Sequence, residues 1–192
     1  LCAVVKADAY GHGAVRVAQE AARNGADFFA VALLQEGVKL REAGIETPIL
    51  VLGAMLSEVA EICVRYDISH AVFDEERLYA LNAAALKLHT KAKIHIKIDT
   101  GMHRIGVHVR DAGRFAKLAA ALPGIYIEGV FSHFATADAD DKQYAAYQFE
   151  RFQEALRLIE AEGVHIPIRH IANSAALTEL QEYQLDMVRG QK

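Results

Sequence analysis

Lys93-Ile94-His95-Ile96-Lys97-Ile98-Asp99 decides how this chain is read. Polar side chains alternate strictly with isoleucines. Successive side chains of a strand point to opposite faces, so the four polar groups share one face and the isoleucines the other. Two settings suit such a strand. One is a sheet edge whose polar face is wet. The other is a closed barrel, in which the isoleucines pack beneath helices and the polar set points inward. In the barrel those charges need partners or a purpose, because an unpaired charge away from water is costly.

On either side of this strand, short apolar runs alternate with amphipathic stretches that end at Gly, the rhythm of parallel strands covered by crossover helices. Strands are expected at Cys2–Val5, Phe28–Leu33, Ile49–Leu52, His70–Phe73, Lys93–Asp99, Tyr126–Ser132, Ile168–Ala172 and Leu185–Val188. Helices are expected at Ala14–Arg23, Gln35–Ala43, Asp111–Leu122 and Tyr144–Glu162. Two more follow Ser57 and Asp74, the first with Val59, Ile62 and Cys63 on one side. Asn24-Gly25, Gly44 and Pro123-Gly124 supply the stops. Eight strands with intervening helices predict an α/β fold, a (β/α)8 TIM barrel. A doubly wound open sheet more often has five or six strands and an early glycine-rich nucleotide loop. The chain opens inside its first strand and stops at the eighth, so the barrel is expected to be incomplete at both ends, one domain over residues 1–192.

Composition agrees with a single globular domain. Apolar residues make up 53% of the 192 and charged residues 24%; 21 basic against 25 acidic side chains leave −4. That balance, without a basic run, argues against a grip on nucleic acid. No apolar stretch approaches the ~18 residues of a membrane span. Leu1–Val5 runs into Lys6 and Asp8 without the pattern of a signal peptide. Cys2 and Cys63 lack a partner motif and are expected to be buried, inert thiols in a reducing compartment.

In a barrel, catalytic groups stand at the C-terminal ends of strands. Lys6 closes Ala3-Val4-Val5, where desolvation would favour a neutral amine; a lysine simply reaching water is the alternative. The loop Asp99-Thr100-Gly101-Met102-His103-Arg104-Ile105-Gly106 sets Arg104 between two glycines, suited to an anionic or phenolic ligand atom or to a plain turn. His133 follows Ser132, where an imidazole can stack on a planar ring, act in acid–base work or sit satisfied in the core. Asn173-Ser174-Ala175 offers a hydroxyl and backbone N–H groups at a helix start, a phosphate site or an ordinary Ser N-cap. Arg189 closes the eighth run, against a ligand or at the surface. His12, His103 and His108 lack metal-ligand spacing, so no metal is expected.

Val4-Val5-Lys6-Ala7-Asp8-Ala9-Tyr10-Gly11-His12-Gly13 resembles the pyridoxal-phosphate attachment segment of alanine racemases. Further similar segments follow in order: Lys97 to Met102 with Arg104 and Gly106, Ser132 to Asp138, Ala172 to Ala176, and Met187-Val188-Arg189. Each is short, and the specificity lies in the ordered set. The resemblance implies a pyridoxal 5'-phosphate enzyme that interconverts L- and D-alanine, with Lys6 as Schiff-base lysine and one of two bases at Cα. It implies that Tyr10 and Ser174, with Asn173 beside them, hold the phosphate. His133 would lie against the ring, Arg104 would approach the phenolic oxygen, and Arg189 would face the pyridine nitrogen. An arginine there disfavours ring protonation and so favours racemization. Many relatives carry a carbamate on the lysine matching Lys97. The second base is expected from a tyrosine in a C-terminal β-domain of a partner subunit, which implies a cytoplasmic homodimer. One departure is the ending Gly190-Gln191-Lys192, where relatives continue with a residue, Gly and an aliphatic. With a first helical segment, an eighth helix and the β-domain missing, the 192-residue chain alone is expected to be inactive. The competing readings are a non-catalytic pyridoxal-phosphate carrier barrel and a fold-related decarboxylase.

Overall fold

The computed structural model describes residues 1–190; the departure at Gln191 and Lys192 lies outside them. Nine strands form: β1 Cys2–Val4, β2 Phe28–Val31, β3 Ile49–Val51, β4 Ser69–Val72, β5 Ala92–Asp99, β6 Val107–His108, β7 Ile125–Phe131, β8 Ile168–His170 and β9 Arg189–Gly190. Eight run in the order β8-β7-β5-β4-β3-β2-β1-β9, with β6 beside β5 and every pair parallel. The two ends of this path meet where Asp186 N–H donates to Arg169 O at 3.1 Å and Arg189 N–H to Ala172 O at 3.0 Å. The result is the expected (β/α)8 barrel. Its crossovers include the helices Ala14–Arg23, Leu34–Glu42, Ala60–Arg65, Glu75–Lys87, Ala112–Ala121 and Gln143–Ala161.

The alternation in β5 sorts the core as a barrel requires. Ile94, Ile96 and Ile98 are fully buried in the layer between strands and helices, with Leu78, Phe115 and Phe152. Inside the ring, Cys2, Val4, Phe28, Ala30, Leu50 and Met187 form a separate apolar cluster. His95 shares that interior, edge-on to Phe28. Lys93, at the start of the strand, instead reaches Asp67 at 2.7 Å. Gly129 makes room for the imidazole, since a Cβ there would lie 2.5 Å from His95 Nδ1.

Two local expectations fail. The eighth barrel strand is Arg189–Gly190 rather than Leu185–Val188, because pairing with β1 starts at Cys2↔Arg189. Asp186 is instead held by the Arg169 fork at 2.7 and 3.0 Å. Ser57 does not cap its helix: its hydroxyl donates to Glu76 at 2.7 Å, and Ser57–Val59 is a 3-10 turn leading into Ala60–Arg65. There Ile62 is exposed and Cys63 is buried. Asp74 does cap Glu75–Lys87, accepting from Arg77 N–H at 3.0 Å. Both cysteines are free and buried, which pushes each thiol up to about 12. Among the described residues no helix is long and apolar enough to cross a membrane.

Candidate active site

At the C-terminal end of β1 the backbone does something that no residue pattern announces. Ala7, Asp8, Ala9 and Tyr10 all adopt left-handed φ of 51–54°. L-residues in that region cost about 1–2 kcal/mol each, so the turn exists only because its surroundings impose it. Ala9 N–H donates to Val5 O at 3.0 Å and Gly11 N–H to Ala7 O at 3.2 Å. Gly11 and Gly13 carry φ of 87° and 88°, and Asp8 Oδ1 accepts from Ala14 N–H at 2.9 Å, joining the turn to the next helix. Lys6 is left half-buried at the strand end, its Nζ 5.9 Å from the centre of the Tyr10 ring.

Lys6, Lys97, Arg104, His133, Asn173 and Arg189 line one cavity of about 210 Å³ at this mouth of the barrel, together with Val4, Leu52 and Phe131. Six of the eight residues singled out in the sequence thus converge. The other two are adjacent, Tyr10 beside Lys6 and Ser174 following Asn173. Asn173, not Ser174, is the N-cap of Ser174–Glu179: its Oδ1 accepts from Ala176 N–H at 3.0 Å. The Arg104 loop is shaped by Asp99, whose Oδ1 accepts from Gly101 and His103 N–H, both at 3.0 Å. Gly106 lets it close on β5, since a Cβ there would sit 2.4 Å from Asp99 N.

The cavity is strongly electropositive, and among the described residues no carboxylate lines it. Arg189 is buried, and burial lowers its guanidinium to about 10, still a cation at neutral pH. Its Nη2 donates to Ser132 O at 2.8 Å and Ile171 O at 3.0 Å and lies 3.2 Å from His133 Nδ1. His133 is driven to about 3, first by burial and then by Arg189, Lys97, Arg104 and Lys6, so it is a neutral imidazole. Lys97 is 4% exposed and sits 4.7 Å from the Phe131 ring centre, with no hydrogen-bond acceptor among the described residues. Burial, followed by Arg189 and Arg104, holds its amine well below the usual lysine range. The arrangement suits a flat ligand with several anionic oxygens.

Beneath the cavity lie residues that sequence reading left without a role. His170 and Glu128 were given none, and His95 was noted only for its place in the alternation. Arg189 Nη1 meets His170 Nδ1 at 2.5 Å, His170 Nε2 meets His95 Nδ1 at 2.9 Å, and His95 Nε2 meets Glu128 at 3.1 Å. The only available signal was the inward parity of His95 on β5; its partners come from β7, β8 and β9.

A family model described as "Alanine racemase, N-terminal domain" matches residues 1–190. The alanine racemase of Desulfovibrio desulfuricans is 46% identical over 188 residues, 98% of this chain and 51% of that protein. Alanine racemase 2 of Caldanaerobacter subterraneus subsp. tengcongensis is 49% identical over 188 residues, 97% of this chain and 48% of its own length. Among solved structures, the alanine racemase of Clostridium difficile 630 in complex with cycloserine superposes with a TM-score of 0.97 at 39% identity, covering 99% of this chain and 52% of that one. The chain spans about half the length of the curated relatives it matches.

Proposed function

The chain belongs to the alanine racemase family through its N-terminal domain, and from that premise we propose that residues 1–192 are the pyridoxal-phosphate-binding barrel of a racemase that interconverts L- and D-alanine in the cytoplasm. The observation that carries this reading is the convergence of Lys6, Lys97, Arg104, His133, Asn173 and Arg189 on one cavity. The residues fit such a cofactor: among the described lining residues basic groups meet no competing carboxylate, and His133 offers a flat imidazole to a ring.

Bound pyridoxal phosphate supplies an aldehyde that condenses with amines and a ring that acidifies the hydrogen on the attached α-carbon. Lys6 would hold the cofactor through its amine and, once displaced by the substrate amine, take and return the Cα proton on one face. Tyr10, Asn173 and Ser174 would hold the phosphate, Ser174 from the start of its helix, while Arg104 neutralises the phenolic oxygen. His133 would support the ring as a neutral imidazole. Arg189 would donate toward the ring nitrogen; a guanidinium at about 10 keeps its proton at neutral pH and leaves that nitrogen unprotonated. Held there, the Arg189 cation would disfavour protonation of the ring and so favour return of the proton to Cα. The opposite face requires a second base, a tyrosine from the C-terminal β-domain of a partner subunit, which makes the working enzyme a homodimer.

Lys97 enters the same reading as a carbamate. Its neutral amine adds one carbon dioxide, forming an N–C bond and releasing one proton, and the resulting anion pairs with Arg104. That removes the unpartnered amine from beneath two arginines.

The test is chemical. Full-length protein is loaded with pyridoxal phosphate, reduced with borohydride and digested, and the label is located by peptide mass. Label on Lys6 is expected; label on another lysine ends the reading.

A further inference from the structure

The left-handed turn after Lys6 needs an external restraint, because four consecutive non-glycine residues do not stay there unaided. Glu36, on the helix Leu34–Glu42, supplies one. Its Oε1 accepts from Ala7 N–H at 2.6 Å, the first peptide group beyond Lys6. Its Oε2 accepts from Ala32 N–H at 2.8 Å and Leu33 N–H at 3.0 Å, immediately beyond β2. One carboxylate therefore holds three backbone donors from two loops, and both Lys6 and Ala32 line the cavity.

We propose that Glu36 is a positioning residue for Lys6, clamping the strained turn that follows the amine to the end of the neighbouring strand. The inference rests on the reading of Lys6 as the amine that holds the cofactor. An ordinary capping glutamate reaches back to the start of its own helix, and the bond to Leu33 N–H is of that kind. The bond to Ala7 is not: it spans 29 residues and contributes nothing to the helix end. Ala7 N–H has no other acceptor among the described residues. The charge also reaches Tyr10, whose phenol is raised first by burial and then by Glu36. Glu36 thus acts on the turn both at the peptide group after Lys6 and at Tyr10. A carboxylate is required, because all three neighbours are donors. The amide of Gln carries one acceptor oxygen, and its NH2 would face an N–H group at one of the two loops.

The test uses full-length protein, Glu36→Gln, and Asp74→Ala as a control that removes the cap of another helix, at a residue that does not line the cavity. Backbone hydrogen exchange over residues 7–13 is measured without cofactor. Pyridoxal-phosphate affinity, kcat and KM are measured with it. Glu36→Gln is expected to speed exchange in that segment by about ten-fold or more and to weaken cofactor affinity by a similar factor. It should lower kcat with little change in KM, whereas Asp74→Ala lowers the thermal midpoint alone. If Glu36→Gln behaves like Asp74→Ala, with wild-type exchange and affinity, Glu36 is only a cap and the proposal is overturned. If Glu36→Gln does not accumulate, Glu36→Asp carries the same test, since it keeps the charge but is too short to reach both loops. Were the cofactor to label a lysine other than Lys6, the functional reading would fail. The cofactor-free exchange would still report whether Glu36 holds the turn.

Discussion

Arg189 Nη1 lies 2.5 Å from His170 Nδ1, and that contact sets the protons of a buried chain. A guanidinium only donates, so His170 Nδ1 is unprotonated and its Nε2–H donates to His95 Nδ1 at 2.9 Å. His95 Nε2–H then donates to Glu128 Oε2 at 3.1 Å, where the Ser69 hydroxyl also donates at 2.5 Å. Burial comes first among the causes that lower both imidazoles, in keeping with neutral rings. Two neutral histidines thus link a cavity cation to a carboxylate deeper in the barrel.

Replacing His170 with Phe removes one acceptor and one donor from this chain and leaves Arg189 and His95 short of partners. Two unsatisfied buried groups predict a loss of roughly 3 kcal/mol in stability. Urea unfolding of the wild type and the variant measures it. An unchanged midpoint with an unchanged slope would show that the chain contributes nothing.

Stability should fall in mild acid. Burial holds His70 down to about 4 against an ordinary 6.5, and its Nε2 has no hydrogen-bond partner among the described residues. Between those values the unfolded chain binds the proton and the folded chain does not, so stability is greatest above 6.5 and declines toward 4. Through His70 alone each unit of pH there favours unfolding by up to about 1.4 kcal/mol. The carboxylates of Glu128 and Asp186, both held low in the folded chain, add to the loss at more acid pH. Urea midpoints at pH 7, 6 and 5 should fall steadily, and a flat series contradicts the assignment. His70→Leu should make the slope shallower by the share of His70 and leave that of His95, His133 and His170, which burial also lowers.

Gly129→Ala should destabilise by roughly 2 kcal/mol through overpacking, since the new methyl would meet His95 Nδ1 at 2.5 Å and Ile168 O at 2.7 Å. Thermal unfolding reads the loss. A neutral result would mean that the imidazole has room to move, and the tautomer chain with it.

A Lys97 carbamate is directly visible by carbon NMR after exposure of the full-length protein to labelled bicarbonate. The expected signal disappears in Lys97→Ala, which should also lose about ten-fold or more in turnover. Unmodified Lys97 together with a fully active Lys97→Ala would remove the carbamate from the mechanism.

Much of the barrel was legible because its rules are local. Alternation in Lys93–Asp99 separated a polar from an apolar face, and the glycine stops announced helix ends. The residues at strand ends were legible for a different reason: a parallel barrel gathers all its strand ends at one rim, so separate short motifs become neighbours. The strand expected at Leu185–Val188 was misplaced because Asp186 is taken by Arg169, a partner 17 residues away, and pairing begins only at Arg189. Ser57 was read as a cap from local preference, and Glu76 claimed its hydroxyl.

By itself, the amino-acid order determined the succession of strands and helices and the separation of a polar from an apolar face on β5, since periodicity and turn chemistry act within a few residues, and its ordered motifs singled out side chains that meet at the cavity rim. Only the tertiary structure decided the left-handed path of Ala7–Tyr10, the grip of Glu36 on two loops, and the line from Arg189 to Glu128. Each depends on donors and acceptors brought within about 3 Å from distant parts of the chain, and no local preference encodes a hydrogen bond whose partner arrives from another strand.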